Sequence, residues 1–599
     1  MLKTSLLLFV LFVASCHAQA PKSPPKREFR GVWIASVSNI DFPLRSTDAP
    51  EKQRTDAIAI LETHRALGIN ALFVQIRPAA DALYSNAREP WSEWLTGAQG
   101  RAPEPAWDPL QFLLDEAHKR NMECHAWFNP FRSVVSANSR LADTHISRTQ
   151  PAWHLAYGSP FRLLNPGLPE VRAYVLSVIM DVVRRYDIDG VHFDDYFYPY
   201  EGTTTQDAST FAQHSRGITN IADWRRDNVN IFVKAVSDSI RAAKKHVKFG
   251  ISPFGIWRSG TPQGTTGLDA YSVIYCDALA WLQAGTVDYV IPQLYWKFGG
   301  GQDYAKLMPW WQGVARSAGR HSYTGLGAYR LTDAAWSADD LTRQIDFNRE
   351  QSGEGAVWFS SNGLTRDLKG IRTMMQGNQY RTPALPPTMA WKDNIPPNTP
   401  QNAVGNRAGD SLSIQWRKPT PAADGDTATQ YVLYALADSI SQLPSSRMLD
   451  STHIRNAAQI LGITRDTAFT LRGRAAGTTA VALTALDRLS NESRPARVSI
   501  STSITSVLGA STQGLMVDIF PNPVQHRLLV RVALPQAVRL RLSIIDMLGR
   551  TVLVLANAAY MQGEHLIEAD TETLAAGVYT LHIEANDILS FVRKVVVQR

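Results

Sequence analysis

The segment DIDGVHFDDYFYP (187–199) sets two adjacent carboxylates, Asp194 and Asp195, at the end of an apolar run and directly before three aromatic residues. Taking a carboxylate out of water is costly unless it is paired or hydrogen-bonded. Aromatic surroundings disfavour ionisation, and the charge of one carboxylate raises the pKa of its neighbour. One member of such a pair can therefore stay protonated while the other is anionic. Cleavage of a glycosidic bond asks for that combination: a proton donor for the leaving oxygen and a second, anionic group. The plain alternative is that a terminal Asp accepts backbone N–H groups from the following loop, the role expected of Asp187 and Asp189 at the other end of the run. Side chains alternate along a strand, so both carboxylates reach one site only if the backbone bends there.

Eight strand-like stretches could position such a pair: FRGVWIASV (29–37), NALFVQIRP (70–78), ECHAWFNPF (123–131), GVHFDDYF (190–197), KFGISPFGI (248–256), VDYVIPQLYW (287–296), YTGLGAYR (323–330) and GAVWFSSNG (355–363). Helical spacing fills the gaps between them. Leu110, Leu113, Leu114 and Ala117 share a stripe behind Asp108 as N-cap, Pro109 and Gln111, a capping-box pattern. Val171, Val175, Val178 and Val182 make a second stripe, and Ser337 opens a third helix. Alternation of this kind over residues 27–385 predicts a (β/α)8 TIM barrel. The competing doubly wound sheet lacks a glycine-rich nucleotide fingerprint after an early strand.

Active sites of such barrels form at the C-terminal strand ends. Reading those ends collects Trp33 and Asn39, then Gln75 and Arg77, then His125, Trp127, Asn129 and Arg132. The fourth strand adds His192, Asp194, Asp195 and Tyr196; later strands add Ser252, Phe254, Trp257, Gln293, Tyr295, Trp296, Tyr329, Trp358 and Ser360. Rings for the C–H faces of a sugar converge with planar amide, carboxylate and guanidinium groups for its hydroxyls. Arg77 could equally be a structural ion-pair partner, and His125 and His192 are as suited to a carboxylate partner as to a metal. No ligand spacing marks a metal site, and no cofactor is expected. G-x-S-x-G, H-E-x-x-H and P-loop motifs are absent, which removes the commonest serine hydrolase, zinc protease and nucleotidase readings.

The chain has 599 residues, 44% hydrophobic and 19% charged, with a net charge of +7 spread along it and no long basic run. That composition describes a folded, multidomain protein and gives no ground for a nucleic-acid partner. LLLFVLFVA (6–14) after Lys3 has the length of a signal-peptide core, with residues 1–20 as the expected signal peptide and cleavage after Ala18 or Ala20; VASC (13–16) also has the form of a lipobox ending at Cys16. No second long apolar segment follows, so an exported chain without a transmembrane segment is expected. Cys124 and Cys276 lie in apolar surroundings and read as buried free thiols.

Residues 386–395 read as the core of a proline-rich linker. Short alternating strands then predict two small all-β sandwich domains, over 396–502 and 515–599. In the first, Trp416, Tyr431, Tyr434 and ALDRLSNES (485–493) resemble a fibronectin type III domain. In the second, FPNPV (520–524), DMLGR (546–550), AAGVYTLHI (575–583) and the terminal KVVVQR resemble the C-terminal sorting domain of the bacterial type IX secretion system. That resemblance implies the type IX machinery as a partner, and release from or anchoring at the outer cell surface.

REFRGVWIASVSNIDFP (27–43), NALFVQIRPAADALY (70–84), HAWFNPFR (125–132), LNPGLPEVR (164–172), DGVHFDDYFYP (189–199) and VIPQLYW (290–296) together resemble the bacterial glycosyl-hydrolase-like family 10 barrel. The resemblance implies a glycoside hydrolase acting on a cell-wall or other N-acetylhexosamine polysaccharide. By motif position it carries over to Asp194, Asp195 and Tyr196, with Gln293 and Tyr295 opposite. Paired carboxylates at this strand end also resemble barrels that use the substrate's 2-acetamido oxygen as nucleophile. No other strand end supplies an obvious Glu, which favours substrate assistance: Asp194 orients the acetamide, Asp195 donates the proton, or the two exchange roles, and Tyr295 bonds the acetamido carbonyl. The rival expectation is a carbohydrate-binding or adhesion protein that keeps the groove without turnover.

Overall fold

Parallel strands and long helices alternate through the first part of the chain, and consecutive strands pair side by side. The computed structural model describes residues 24–136, 139–157, 162–408, 410–437, 448–473, 478–502, 516–534, 536–546, 549–585 and 589–598; the expected signal peptide and Cys16 lie outside them. The strands are β1 (Phe29–Ile34), β2 (Ala71–Arg77), β3 (Glu123–Phe128), β4 (Gly190–Phe193), β5 (Lys248–Ile251), β6 (Tyr289–Val290), β7 (His321–Ser322), β8 (Thr324–Gly327) and β9 (Gly355–Phe359). Their order in the sheet is β7-β6-β5-β4-β3-β2-β1-β9-β8. The segments β7 and β8 are halves of one strand parted at Tyr323, the first pairing with β6 and the second with β9. A parallel bridge between Gln293 and Gly325 joins the two ends of the sheet. The nine segments thus make the eight strand positions of a TIM barrel.

Alternation of side chains divides each strand between two cores. Phe29, Trp33, Phe73, Trp127, Tyr289, Tyr323 and Val357 fill the barrel interior. Val32, Leu72, Val74, Val191, Phe193, Ile251 and Trp358 face the helices. Glycine makes room for the largest interior rings. Gly190 stands opposite His125 and Gly250 opposite Tyr289; a Cβ on either would lie 2.2 Å from His125 Nδ1 or 2.0 Å from the tyrosine ring.

The helices follow their sequence signals. Helix α1 (Pro109–Lys119) starts on Asp108, whose carboxylate accepts the Gln111 N–H. The Gln111 side chain donates to Asp115 instead of returning to the cap, so that capping box is only half formed. Val171, Val175, Val178 and Val182 are all buried on α2 (Pro169–Arg185). Ser337 and Asp340 form a reciprocal capping box at the start of α3 (Ala338–Glu350).

The segment read as a linker closes the barrel floor. Met389 is fully buried among the interior rings. Trp391 Nε1 and Lys392 Nζ both donate to Asp288, each at 3.0 Å. The following domain is a sandwich of two four-stranded sheets, in which Trp416 packs edge-on against Tyr431. It belongs to the same compact unit as the barrel and touches the barrel floor through Arg488, which pairs with Asp187 and Asp189, and through Lys26, which pairs with Glu492.

The remaining unit, chiefly residues 501–599, holds two antiparallel sheets of three and four strands. Their inner faces bury Leu528, Val530, Val532, Leu540, Leu542, Ile544, Leu581 and Ile583. Among the described residues no helix is long and apolar enough to cross a membrane, and Cys124 and Cys276 are buried free thiols.

Candidate active site

Strand β4 ends at Phe193, and the chain bends immediately into the loop that carries both carboxylates. His192 and Asp194 share the inward parity; Phe193 and Asp195 share the other. Asp194 is half-buried at the mouth. Its Oδ1 accepts the Asp195 N–H at 2.9 Å and the Gln293 amide at 3.4 Å, and its Oδ2 accepts the Asn129 amide at 3.2 Å. Those amides are themselves fixed. Gln75 donates to Asn129 Oδ1 at 2.7 Å while its own carbonyl takes the N–H groups of Ser36 and Val37, and Gln293 also donates to the Ser252 carbonyl. Among the described residues, the groups that hydrogen-bond Asp194 are neutral donors and none is a cation.

Asp195 is 0% exposed. Its Oδ2 accepts the Tyr200 hydroxyl at 2.5 Å, and its Oδ1 is buried without a partner. Burial first, and then the adjacent Asp194 charge, push the Asp195 carboxyl well above the usual carboxylate range. Asp195 is therefore the member of the pair held toward its neutral form, and Asp194 is the cleft-facing one. Burial and the Asp195 and Asp194 charges also raise the phenols of Tyr200 and Tyr196.

The mouth is walled by rings. Tyr295 lies near-parallel to Phe359 with centroids 5.9 Å apart, and exposed Tyr329 meets both edge-on. Burial, and then the Asp194 charge, hold the Tyr295 phenol well above its usual value, which places it within the field of that carboxylate. Arg132 sits 5.1 Å over the Tyr196 ring and donates to the Pro78 carbonyl. Arg132 Nη2 and Trp127 Nε1 are buried donors without partners, like Asp195 Oδ1. Of these, the Arg132 guanidinium lies in the field of both carboxylates.

Beneath the mouth His192 accepts the Trp33 indole N–H at 3.1 Å. Burial and the neighbouring His125 keep its pKa far below the usual histidine range, so it is neutral and its proton is on Nδ1, toward Tyr289. His125 bonds Tyr289 and Glu123 in the barrel interior.

Of the residues expected to contact substrate, Asn129, Arg132, Tyr196, Gln293 and Tyr295 gather around Asp194, with Trp127 and Trp296 alongside; Trp296 packs on Phe254. Gln75 lies one layer behind. His125 and His192 are wholly buried below. Arg77 is buried in a two-point ion pair with Glu89 and bonds the Asn129 and Pro130 carbonyls, which makes it a support for the β3 loop. Trp257 packs on Trp310 and Tyr271 and donates to Asp277. Trp358 points into the helix layer and donates to Tyr380. Two residues of the mouth escape a strand-end reading: Phe359, which has the inward parity that Trp358 lacks, and Tyr200, one residue beyond the motif that holds the carboxylates.

Fold and site together define a glycosyl hydrolase-like barrel protein. More particularly, the chain belongs to the Glycosyl hydrolase-like 10 family, whose pattern matches residues 28–341. Residues 518–598 match the secretion system C-terminal sorting domain, which makes the sandwich at the C-terminal end a sorting domain of a secretion system. The chain is 40% identical over 427 residues to the glycosyl hydrolase YngK of Bacillus subtilis (strain 168), a match covering 68% of this chain and 83% of that protein. It is 35% identical over 391 residues to the glycosyl hydrolase DigH of Escherichia coli (strain K12), covering 57% and 88%. Among solved structures, the PgaB (BpsB) glycoside hydrolase domain from Bordetella bronchiseptica superposes with a TM-score of 0.41 at 12% identity, covering 59% of this chain and 98% of that one.

Proposed function

We propose that the protein is an exported glycoside hydrolase that cleaves a bacterial cell-wall or other N-acetylhexosamine polysaccharide, with Asp194 and Asp195 as a pair sharing one proton. The observation that carries this reading is the contrast within the pair: one carboxylate is open to the cleft and bonded only by neutral amides, the other is enclosed behind it and held neutral. Relatives of this chain are named glycosyl hydrolases, which supports the reaction class. The burial of Asp195 favours Asp194 as the member that touches the sugar, so that the proton held on Asp195 reaches the leaving oxygen through Asp194.

In the step that follows from this geometry, the proton passes to the leaving glycosidic oxygen as the bond from C1 breaks. The substrate's 2-acetamido oxygen forms the new bond to C1, giving a cyclic oxazolinium ion, and the Tyr295 hydroxyl holds that acetamido group. Water then adds at C1, the ring reopens, and the water's proton returns to the carboxylate pair. Trp127, Arg132, Tyr196 and the ring wall of Tyr295, Tyr329 and Phe359 offer the donors and faces that a sugar chain needs. Incubating the full chain with peptide-free peptidoglycan strands and with chitin-type oligosaccharides tests this. Shortened products with new reducing ends are expected, as is inhibition by a thiazoline mimic of the cyclic intermediate. Binding of both glycans without any shortening would leave the barrel a carbohydrate-binding protein.

A further inference from the structure

Three carboxylates far from the mouth, Asp393, Asp424 and Asp426, each present an oxygen within 4.8 Å of the other two. Asp393 follows Trp391 and Lys392 in the segment that seals the barrel floor. Asp424 and Asp426 lie in the loop between the sandwich strands Ser411–Arg417 and Gln430–Ala435, where Gly425 turns the chain with φ +90°. The cluster therefore joins two parts of the fold that are 30 or more residues apart in sequence.

A fourth carboxylate stands behind it. Asp487 is 3% exposed. Its Oδ1 accepts the N–H groups of Leu489 and Asn491, whereas its Oδ2 is buried with no partner. Asn491 links it to the cluster: its backbone N–H bonds Asp487 and its side-chain amide donates to Asp393 Oδ2 at 2.8 Å. Burial, with a contribution from the Asp393 charge, pushes the Asp487 carboxyl up to about 6, and burial with the charges of Asp424 and Asp393 raises Asp426. Arg488 and Lys245 act on Asp426 through their charge, and Arg488 is itself engaged by Asp187 and Asp189. Three carboxylates this close, with a fourth beside Asp393 that keeps a buried oxygen unpartnered, are an unfavourable grouping unless a cation completes it.

We propose that this junction binds a divalent cation of the calcium class, taken directly by Asp393, Asp424 and Asp426 with Asp487 completing the charge behind them. An all-oxygen donor set selects hard cations over metals that prefer nitrogen or sulfur. Ligands drawn from two flexible-length loops suit the irregular shell of calcium better than the strict octahedron of magnesium. The ion would pin the floor-sealing segment to the sandwich beside the Arg488 contact with the barrel, and it is independent of the chemistry at the mouth.

The test is calcium titration of the chelator-treated full chain by calorimetry and thermal unfolding, beside the Asp424→Asn/Asp426→Asn double variant. The expected result is one ion per chain with a Kd of roughly 0.1–1 mM, as in extracellular modules, and a rise in unfolding midpoint of about 2 °C or more at saturation. The double variant changes only exposed loop carboxylates, so it should unfold in chelator no earlier than the parent, yet lose both binding and the calcium shift. No binding at about tenfold above that Kd range, or an unchanged shift in the double variant, would overturn the proposal.

Discussion

Asp189 and Asp194 lie on either side of strand β4, and their surroundings are opposite. At the floor end, Asp189 accepts the Cys124 N–H at 2.8 Å, the His118 ring at 2.7 Å and the Arg488 guanidinium at 3.2 Å. Those partners outweigh burial and hold its carboxyl well below the usual range. The same pattern repeats around the floor. Glu28 is bonded by Arg30 and Arg349, and Glu123 by Lys248 and His125; both carboxyls are lowered by those partners against their burial. At the mouth end, Asp194 meets neutral amides and a second carboxylate that burial pushes up. One end of the barrel is saturated with counter-charge and the other is left unsaturated, the contrast expected of a barrel whose floor stabilises and whose mouth reacts.

The largest effect expected at the mouth is from Asp195→Asn. Loss of a proton-transfer group costs on the order of 10²–10⁴ in turnover, and the pH profile carries the reason. Turnover of the parent falls as pH rises through the raised pKa of the pair. Asn at this position removes the carboxyl whose pKa is raised, so the alkaline limb should move to lower pH; an unmoved limb would remove Asp195 from the proton inventory.

At the floor, Lys248→Met strands the buried Glu123 carboxylate and should cost about 3–5 kcal/mol of stability, read as a lower denaturation midpoint. Turnover per folded molecule should hold. The sign with pH follows from the lowered carboxyls of Glu28, Glu123 and Asp189: their stabilisation is present above their unfolded values, near 4, and is lost as pH falls through the folded ones. Asp41, buried and bonded to Ser360 near the mouth, runs the other way. Its carboxyl is raised to about 6 by burial, so its contribution is full below about 4 and fades as pH rises through 6.

The smallest change is Tyr200→Phe. The phenol stabilises the ionised form of Asp195, so its loss should move the alkaline limb up by about one pH unit, with the maximal rate little altered. A limb that stays in place would mean that the Tyr200 contact does not act on the pair.

Much of this arrangement is legible in the sequence because it rests on period. The eight strand stretches, the valine stripe of α2 and the Ser337 cap lead directly to the elements observed. Parity also separates Asp194 from Asp195, and it selects Phe359 over Trp358, since Val357 faces inward. What stays hidden depends on partners distant in space. Nothing local tells that Glu89 would take up Arg77, or that Trp310 would draw Trp257 to the helix side. The segment 386–395 reads as a linker because prolines break its period, yet Met389 and Trp391 within it are the apolar residues that seal the floor. The grouping of Asp393, Asp424, Asp426 and Asp487 is invisible before folding brings their three segments together.

The most direct test of this account compares Asp194→Asn with Asp189→Asn, two isosteric changes at the two ends of one strand, by turnover on the cleaved glycan and by unfolding midpoint. Asp194→Asn should lose turnover by on the order of 10²-fold or more while keeping its midpoint and its glycan binding. Asp189→Asn should lower the midpoint and keep turnover per folded molecule. Substantial turnover in Asp194→Asn, or an inactive but fully stable Asp189→Asn, would contradict the division of the barrel into a reacting mouth and a stabilising floor.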